Sequence, residues 1–309
     1  MNQGPLTDAA LASIYREVIS ASIALQKDLC IGYLGPAGTF THQAALRRFG
    51  DSVLYLPLDT IQDVFNAVND KKVNYGVVPL ENSTVGGISS TLDCFIKMPL
   101  RIRSETYLPV EQCFMSSSPS LQTIQRVYSH PEALAQCQQF IKSTLLSRNV
   151  EIISVSSTAL AAQMASRDTT AGAICSKVCA GIYEGLHLLN EGVQDSQLNV
   201  TRFGVLADAS DSTTGRDKTL LCLSINMKRP GSLCEALTVF KAHGISLTNM
   251  TSRPVSTNSN GQSLLWEYVF FVEFKGHAED PNVAECMKEL DAICSRVKHC
   301  GSFVDERDD

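Results

Sequence analysis

Short apolar runs alternate with amphipathic segments along the first two thirds of the chain, from Cys30 to Ala207. Runs such as CIGYLG, SVLYLP and VNYGVVPL are each followed by a segment with the apolar spacing of a helix. Repeated strand-then-helix units predict an α/β domain with mainly parallel strand pairing. The extended stretch near Leu100 to Met115 and the return at 198–207 predict two lobes with crossing strands and a cleft between them.

A polar stretch, DASDSTTGRD, separates this pattern from a different one. Beyond it the order is strand, helix, strand, strand, helix, strand, which is the βαββαβ order of a ferredoxin-like domain, in about 85 residues. The alternation in WEYVFFVEF predicts a strand with one buried face. We therefore predict an N-terminal helix in 1–28, an α/β domain in 29–208, a linker in 209–217 and a ferredoxin-like domain in 218–309.

The N-terminal segment from 7 to about 27 has the pattern of a single helix with Thr7 as its N-cap. Its apolar residues recur at helical spacing on one face: Leu11, Ile14, Tyr15, Val18 and Ile19. Such a stripe needs a partner, and no other segment of the sequence resembles a mate for it.

Composition excludes several classes of protein. The 309 residues, 44% of them hydrophobic, suffice for a sizeable core, and a formal charge of -6 argues against a nucleic-acid partner. The sequence shows no secretory signal and no membrane-spanning stretch, so we expect a soluble, cytoplasmic protein without membrane association. The eleven cysteines lack CxxC pairs and zinc-site spacing, which predicts reduced, packed thiols and no metal.

Polar clusters occur where predicted strands end and helices begin, the place where open α/β sheets bind ligands. GPAGTFTHQAA lacks the glycine pattern of a dinucleotide site but offers a tight turn, the hydroxyls of Thr39 and Thr41, and a helix N-terminus that suits a small carboxylate. The other clusters are PLENSTVGGISS, SHPEALAQC with Pro131 at a helix start, and SVSSTALAA. Each alone fits helix capping, but four in one domain predict an anion-binding cleft.

Five segments resemble, in order, the motifs of the prephenate dehydratase family: YLGPAGTFTHQAA, GVVPLENSTVGG, YSHPEALAQC, SSTALAA and NVTRFGVL. The segment from Arg229 to Pro254, with WEYVFFVEFKGHAEDPNV after it, is similar to the ACT domain that follows in those enzymes. The resemblance covers residues from about 30 to 304. It implies a two-lobed catalytic domain like a periplasmic binding protein, followed by a ferredoxin-like ACT domain.

The resemblance also implies a reaction, the loss of carbon dioxide and water from prephenate to give phenylpyruvate in phenylalanine biosynthesis, without a cofactor. It assigns Thr201 of the TRF motif, with Arg202 and Phe203 beside it, to catalysis, Thr201 as hydrogen-bond donor to the departing hydroxyl. Alternation along a strand turns Arg202 to the opposite face from Thr201 unless a twist or the strand end re-aims it, so Arg202 would orient loops, with binding of the pyruvyl carboxylate as the alternative. Glu81 is a candidate for proton handling or a helix-dipole partner, and His130 for the site or a cap. Substrate contacts are expected from Thr39, Phe40, Asn82, Ser83, His130, Ser157 and Thr158.

ACT domains of this family bind phenylalanine through GALV and ESRP motifs, which stand here as GSLC and TSRP. The resemblance therefore implies a regulatory phenylalanine site at Gly231, Ser232, Leu233, Leu247, Thr248, Asn249, Ser252, Arg253 and Pro254. Serine replaces the alanine and threonine the glutamate, so the strength of inhibition stays open. Family members assemble through these domains, which implies a homodimer or a homotetramer.

The N-terminal helix resembles the last helix of the chorismate mutase domain that precedes many bacterial dehydratases. The mutase pocket needs arginines from other helices, so we predict no mutase activity. Two rival functions remain: arogenate dehydratase, which differs only in a substrate amino group, and a non-catalytic carboxylate or amino-acid receptor. A receptor has no need of a donor at the leaving hydroxyl, which favours the enzyme.

Overall fold

The computed structural model describes residues 4–26, 28–257 and 263–308. Its N-terminal third contains α1 (Asp8–Gln26), β1 (Cys30–Leu34), α2 (Phe40–Phe49), β2 (Leu54–Leu58), α3 (Ile61–Asn69), β3 (Tyr75–Asn82), β4 (Gly86–Gly87), α4 (Ser89–Lys97) and β5 (Arg101–Pro109). Its middle contains β6 (Gln112–Ser116), β7 (Arg126–Ser129), α5 (Pro131–Gln136), α6 (Gln138–Phe140), β8 (Glu151–Ser154), α7 (Thr158–Ser166), β9 (Ala171–Ser176), α8 (Cys179–Ile182), β10 (His187–Asn190) and β11 (Val200–Ala207). The C-terminal third contains β12 (Asp217–Ser224), α9 (Ser232–Ala242), β13 (Leu247–Thr257), β14 (Ser263–Lys275), α10 (Pro281–Ile293) and β15 (Arg296–Val304).

These elements confirm the mixed α/β class and the order of strands and helices read from the sequence. The stretch treated as one extended segment divides into β5 and β6. Strand β10 was not predicted, because its four residues, HLLN, are too few to show a period. No described helix is long and apolar enough to cross a membrane.

The chain forms two compact units whose segments interleave along the sequence. The first unit comprises the described residues up to Val64 together with Asn82–Gly86 and Tyr107–Thr201, and the second comprises the remaining described residues. The chain therefore passes from one unit to the other at five points, which lie within α3, β3, β4, β5 and β11.

The first unit contains the parallel pair β1 and β2 and a five-stranded sheet of order β10-β6-β9-β7-β8. Strand β9 lies at the centre of that sheet, parallel to β7 and antiparallel to β6, and all of its residues are buried. Gly172 of β9 has no room for a side chain, since a Cβ there would lie 2.3 Å from the ring of Phe114. A core forms between this sheet and α7, from residues including Cys113, Met115, Ala161, Ala162, Ala165, Ala173 and Cys175.

Helix α1 presents its apolar stripe to solvent within the first unit. The Thr7 side chain accepts a hydrogen bond from the amide of Ala10, which confirms the predicted N-cap. The face that contacts the unit is polar: Glu17 accepts from the amide of Asp51, and Ser20 is buried. The stripe residues Ile14, Tyr15, Val18 and Ile19 are each more than half exposed.

The second unit contains the neighbouring strands β3, β11 and β5 and an antiparallel sheet of order β13-β14-β12-β15. That strand order, with α9 and α10 in contact, confirms the predicted ferredoxin-like arrangement. Its core comprises Leu221, Leu223, Ala236, Val239, Phe240, Ile245, Val272, Phe274, Val283, Cys286 and Leu290. The apolar residues alternate along β12 and β14 as the WEYVFFVEF pattern predicted, for the part of that segment whose side chains are described.

The cysteines are free thiols, most of them buried, and burial raises the pKa of Cys113 to about 11 and that of Cys137 to about 12. These thiols stay protonated at neutral pH, which makes them poor nucleophiles and poor metal ligands. Among the described residues, no cluster of three or more His, Cys, Asp or Glu side chains has the arrangement of a metal site.

His299 makes the stability of the protein depend on pH. Burial, together with the charges of Arg101 and His277, lowers the pKa of His299 to about 4. Because the unfolded chain binds a proton near pH 6.5 and the folded chain does not, stability falls as the pH drops below that value. We expect the free energy of unfolding to decrease by about 2 kcal/mol between about pH 7.5 and pH 5 from this group.

Urea unfolding of wild type and His299→Gln at these two pH values measures this contribution. The variant lacks the titrating group and should lose distinctly less stability than wild type on acidification. An equal loss in the two proteins would contradict the assignment to His299.

Candidate active site

A cavity of about 310 Å³ lies within the first unit, where several strands end and helices begin. Its lining combines the predicted clusters: Leu34, Gly35, Thr39, Phe40, Thr41, Asp59, Asn82, Val110, Gln112, His130, Glu132, Ala133, Gln136, Ser156, Ser157, Thr158, Asn199 and Thr201. Thus six of the seven predicted substrate-contact residues border one cavity together with Thr201. Its volume and mixed lining suit a small polar ligand.

Asn82 holds the hydroxyl of Thr201 in one orientation. The Asn82 Nδ2 group donates to Thr201 Oγ1 at 2.9 Å and to Asn199 Oδ1 at 2.7 Å. Asn82 Oδ1 accepts from the backbone amides of Thr84 and Val85, which fixes the turn after β3 and the amide plane. Because the Thr201 oxygen accepts from Asn82, its own proton is left to be donated to another group. The geometry therefore presents Thr201 as a hydrogen-bond donor.

The N-termini of α2 and α7 also reach the cavity. Thr39 caps α2: its hydroxyl accepts from the amide of His42 at 3.2 Å and donates to the carbonyl of Leu34 at 2.8 Å. Ser157 caps α7 by accepting from the amide of Leu160 at 3.0 Å. The remaining first-turn amides, which have no intrahelical acceptor, and the positive ends of the helix dipoles favour a bound carboxylate.

Two histidines stand at helix starts of this unit, His130 before α5 and His42 in the first turn of α2. His130 caps α5, because its Nδ1 accepts a hydrogen bond from the amide of Glu132. It also borders the cavity, so it has both of the positions considered for it, helix cap and cavity residue. His42 is buried, stacks on Tyr33 with ring centroids 4.6 Å apart, and accepts from the amide of Gly38 through Nδ1. Burial lowers the pKa of His42, although Asp51 acts in the opposite direction. His42 therefore stays neutral near pH 7 and braces the GPAGT loop, a role that its sequence position did not indicate.

Several cavity residues were missed by the sequence analysis: Asp59, Gln112, Glu132, Gln136 and Asn199. Asn199 accepts the hydrogen bond from Asn82, and its backbone carbonyl accepts from the amide of Val110. It stands two residues before the TRF threonine, on the same side of an extended chain, and this spacing is the signal that could have found it. Gln112 and Gln136 share a long hydrogen bond of 3.4 Å.

Ser83 is the predicted contact residue absent from the cavity lining. Its hydroxyl donates to the carbonyl of Leu198 and accepts from the amide of Val200, both at 2.9 Å. Ser83 thus ties the turn after β3 to the start of β11. Phe203, the last residue of the TRF motif, is buried in the hydrophobic interior of the second unit.

Arg202, the chain neighbour of Thr201, belongs to a buried charge cluster in the second unit, and the partly exposed Glu81, the chain neighbour of Asn82, lies at the edge of that cluster. Arg202 donates through Nε to Glu105 at 2.7 Å and through NH2 to Glu273, and its NH1 lies 3.7 Å from Glu81. Lys218, fully buried, lies 2.8 Å from Glu105 and 3.0 Å from Asp305. Burial acts to raise the pKa of Glu273, but Arg202 and Lys218 outweigh it and hold that pKa below its usual value.

The residues predicted to bind the effector phenylalanine lie in the second unit and fall into separate groups. Gly231, at φ 83°, precedes α9, where Ser232 donates to the carbonyl of Arg229; Leu233 follows in the first turn. Gly231 borders an open groove of about 500 Å³ and Leu247 another depression of about 420 Å³. On β13, three polar side chains are engaged elsewhere: Thr248 with Glu273, Asn249 with Glu81, and Arg253 with Asp93 and Ser89. Ser252 and Pro254 are exposed.

Comparison with known proteins adds two family assignments. Residues 31–211 match the family described as prephenate dehydratase, and residues 223–292 match the ACT domain. The chain is 43% identical over 300 residues to a bifunctional chorismate mutase/prephenate dehydratase of Aquifex aeolicus, covering 97% of this chain and 80% of the relative. It is 31% identical over 278 residues to a prephenate dehydratase of Lactococcus lactis, covering 88% of this chain and 96% of the relative.

A solved structure shares the fold. The prephenate dehydratase of Arthrobacter aurescens, determined in complex with L-Phe, superposes with a TM-score of 0.79 at 30% identity, over 90% of each chain. The family match includes the GPAGT loop, Asn82 and the TRF motif, and the C-terminal match begins within β12. The chain therefore belongs to the prephenate dehydratase family and carries a C-terminal ACT domain.

Proposed function

We propose that this chain converts prephenate to phenylpyruvate, with Thr201 donating a hydrogen bond to the departing hydroxyl, and that L-phenylalanine inhibits it through the ACT domain. The observation that carries the proposal is the hydrogen bond from Asn82 to Thr201 at the wall of the polar cavity. A merely structural threonine needs no second side chain to orient its proton. Family membership supports the same reaction.

The chemistry asks little of the protein beyond orientation and a donor. The bond between the ring and its carboxylate breaks, its electron pair enters the ring, and the C4–O bond breaks as the ring becomes aromatic. Carbon dioxide leaves, and the hydroxide takes up one proton to leave as water. A threonine hydroxyl is too weak an acid to supply that proton by itself, so Thr201 stabilises the leaving oxygen while the proton is replenished from solvent.

The cavity lining supplies the remaining requirements. Among its residues there is no lysine or arginine, so the substrate carboxylates would be held by the first-turn amides of α2 and α7. This mode of binding orients a carboxylate without an ion pair that would strengthen the ground state of the group to be lost. The side chains of Phe40, Leu34 and Val110 give the reacting carboxylate a poorly solvated environment.

The test is phenylpyruvate formation from prephenate by the purified protein, with arogenate as a parallel substrate. We expect turnover of prephenate. The carboxylates of Asp59 and Glu132 in the cavity lining make the amino analogue the second candidate substrate, because they can attract an ammonium group. Absence of turnover of either compound by folded protein would leave only the receptor function.

The effector is tested separately by isothermal titration with L-phenylalanine and by assays with increasing phenylalanine. The A. aurescens relative was solved with L-Phe, and Gly231 and Leu247 border depressions able to accept a side chain. We expect binding and a fall in activity. Binding without inhibition would show that the site does not control the reaction.

We also propose that the protein assembles as a homodimer or homotetramer and that it is located in the cytoplasm. Light scattering tests the assembly, and cell fractionation tests the compartment.

A further inference from the structure

We propose that Asn249 of the ACT sheet is a positioning residue for the reaction, acting through the carboxylate of Glu81 on the adjacent pair Asn82 and Thr201. The Asn249 Nδ2 group lies 3.3 Å from each carboxylate oxygen of Glu81 and donates to them. Glu81 immediately precedes Asn82 at the end of β3. This inference rests on the proposed function.

A second contact reaches the other member of the pair. The neighbouring residue Thr248 donates to Glu273 Oε1 at 2.9 Å, and the other oxygen of Glu273 accepts from Arg202. Arg202 immediately follows Thr201 in β11. Two consecutive residues of β13 therefore bind two carboxylates. One belongs to Glu81, the chain neighbour of Asn82, and the other belongs to Glu273, which binds Arg202, the chain neighbour of Thr201.

The hydrogen bond from Asn82 to Thr201 depends on the positions of the C-terminal end of β3 and the N-terminal end of β11, which carry these two residues. A shift of the Glu81 backbone moves Asn82 with it, because the two share a peptide bond. Small misplacements of a catalytic group are costly, since about 1 Å can reduce a rate by about 10²-fold. On this argument Glu81, a candidate for proton handling on the basis of sequence, and Arg202 are positioning residues.

The surroundings allow these side chains to change position. A cavity of about 40 Å³ is bordered by Glu81, Arg202, Asn249, Thr251 and Glu273, among others. Glu81 stands between two partners, Asn249 at 3.3 Å and Arg202 at 3.7 Å. Through Asn249, β13 therefore helps to set the position of Glu81, which is covalently joined to Asn82.

The test is steady-state kinetics of Asn249→Ala with prephenate, in the absence of phenylalanine so that effector binding plays no part. We expect kcat to fall by about tenfold, with KM unchanged within about twofold, because the donor is displaced while the carboxylate-binding amides are not. The matched control is Met250→Ala, which shortens the adjacent, half-exposed side chain of β13 and should leave kcat and KM unchanged.

A double-mutant cycle shows whether Asn249 acts through Glu81. Glu81→Ala should lower kcat by a similar factor, and the double variant should fall no further. Unchanged kcat in Asn249→Ala, additive losses in the double variant, or an equal loss in Met250→Ala would each overturn the inference. Thermal unfolding of every variant identifies loss of fold, in which case Asn249→Leu, which keeps a similar size and removes the donor without adding a charge, replaces the alanine variant. Wild-type turnover is measured before that of the variants, because its absence would overturn the proposed function rather than this inference.

Discussion

Replacing Thr201 by valine is expected to lower kcat for prephenate by about 10²- to 10⁴-fold, the range typical of a lost proton donor in the transition state. Valine has nearly the same shape as threonine but no hydroxyl, so the leaving oxygen loses its donor and the Asn82 amide loses an acceptor. KM should change little, since the helix amides of α2 and α7, which we propose hold the substrate carboxylates, are untouched.

Thr201→Ser is the matched control, because it keeps the hydroxyl and removes only a methyl group. It should retain most of the activity, within about tenfold of wild type, as the Asn82 bond can still orient the proton. Measured kcat and KM of the three proteins decide the matter. A valine variant that keeps more than about a tenth of wild-type kcat would show that Thr201 does not serve the leaving hydroxyl.

Replacing Glu105 by glutamine is expected to reduce the free energy of unfolding by about 3 to 5 kcal/mol, as is usual when one member of a buried ion pair is removed. Glu105 is fully buried and its two oxygens meet Arg202 at 2.7 Å and Lys218 at 2.8 Å. Neutralising it leaves two buried cations with fewer countercharges, although glutamine fills the same volume.

Glu235→Gln provides the control, because Glu235 pairs with Arg229 on the exposed surface and solvent screens such a pair. Its effect on urea unfolding at pH 7 should be far smaller. If the two substitutions destabilise the protein equally, the buried cluster contributes no more than a surface pair, and Arg202 needs another explanation for its burial.

Much of the fold could be predicted because its signals are local. The alternation of apolar residues identified the strands, and Thr7 marked a helix start that the structure shows. The clusters GPAGTFTHQAA and SVSSTALAA, which fit helix capping, contain two further caps, Thr39 and Ser157. Strand β10 was not predicted, because four residues are too few to show an alternation of apolar and polar positions. The orientation of α1 was not predicted either. The apolar stripe indicated which face would be buried, but the polar residue Ser20 is buried instead.

The site was predictable only as far as its motifs extend. Thr201 and Asn82 lie in recognisable motifs, but their hydrogen bond joins residues 119 positions apart, a distance over which local pattern carries no information. Asn199 and Gln112 belong to the cavity through the same long-range pairing. The charge cluster is the extreme case: Lys218 and Glu105 are typical surface residue types, and only the tertiary fold shows that they compensate each other without solvent.

The passage of the chain between its compact units within β3, β5 and β11 has a consequence for biosynthesis. The second unit needs both its early segments, between Phe65 and Thr106, and the residues from Arg202 onward. A ribosome releases β3 and β5 long before β11, the strand that lies between them, has been synthesised, so each of the two must wait with an unpaired edge. These strand edges are therefore exposed during synthesis, and slow translation of the residues between β5 and β11 should increase the dependence of this protein on chaperones.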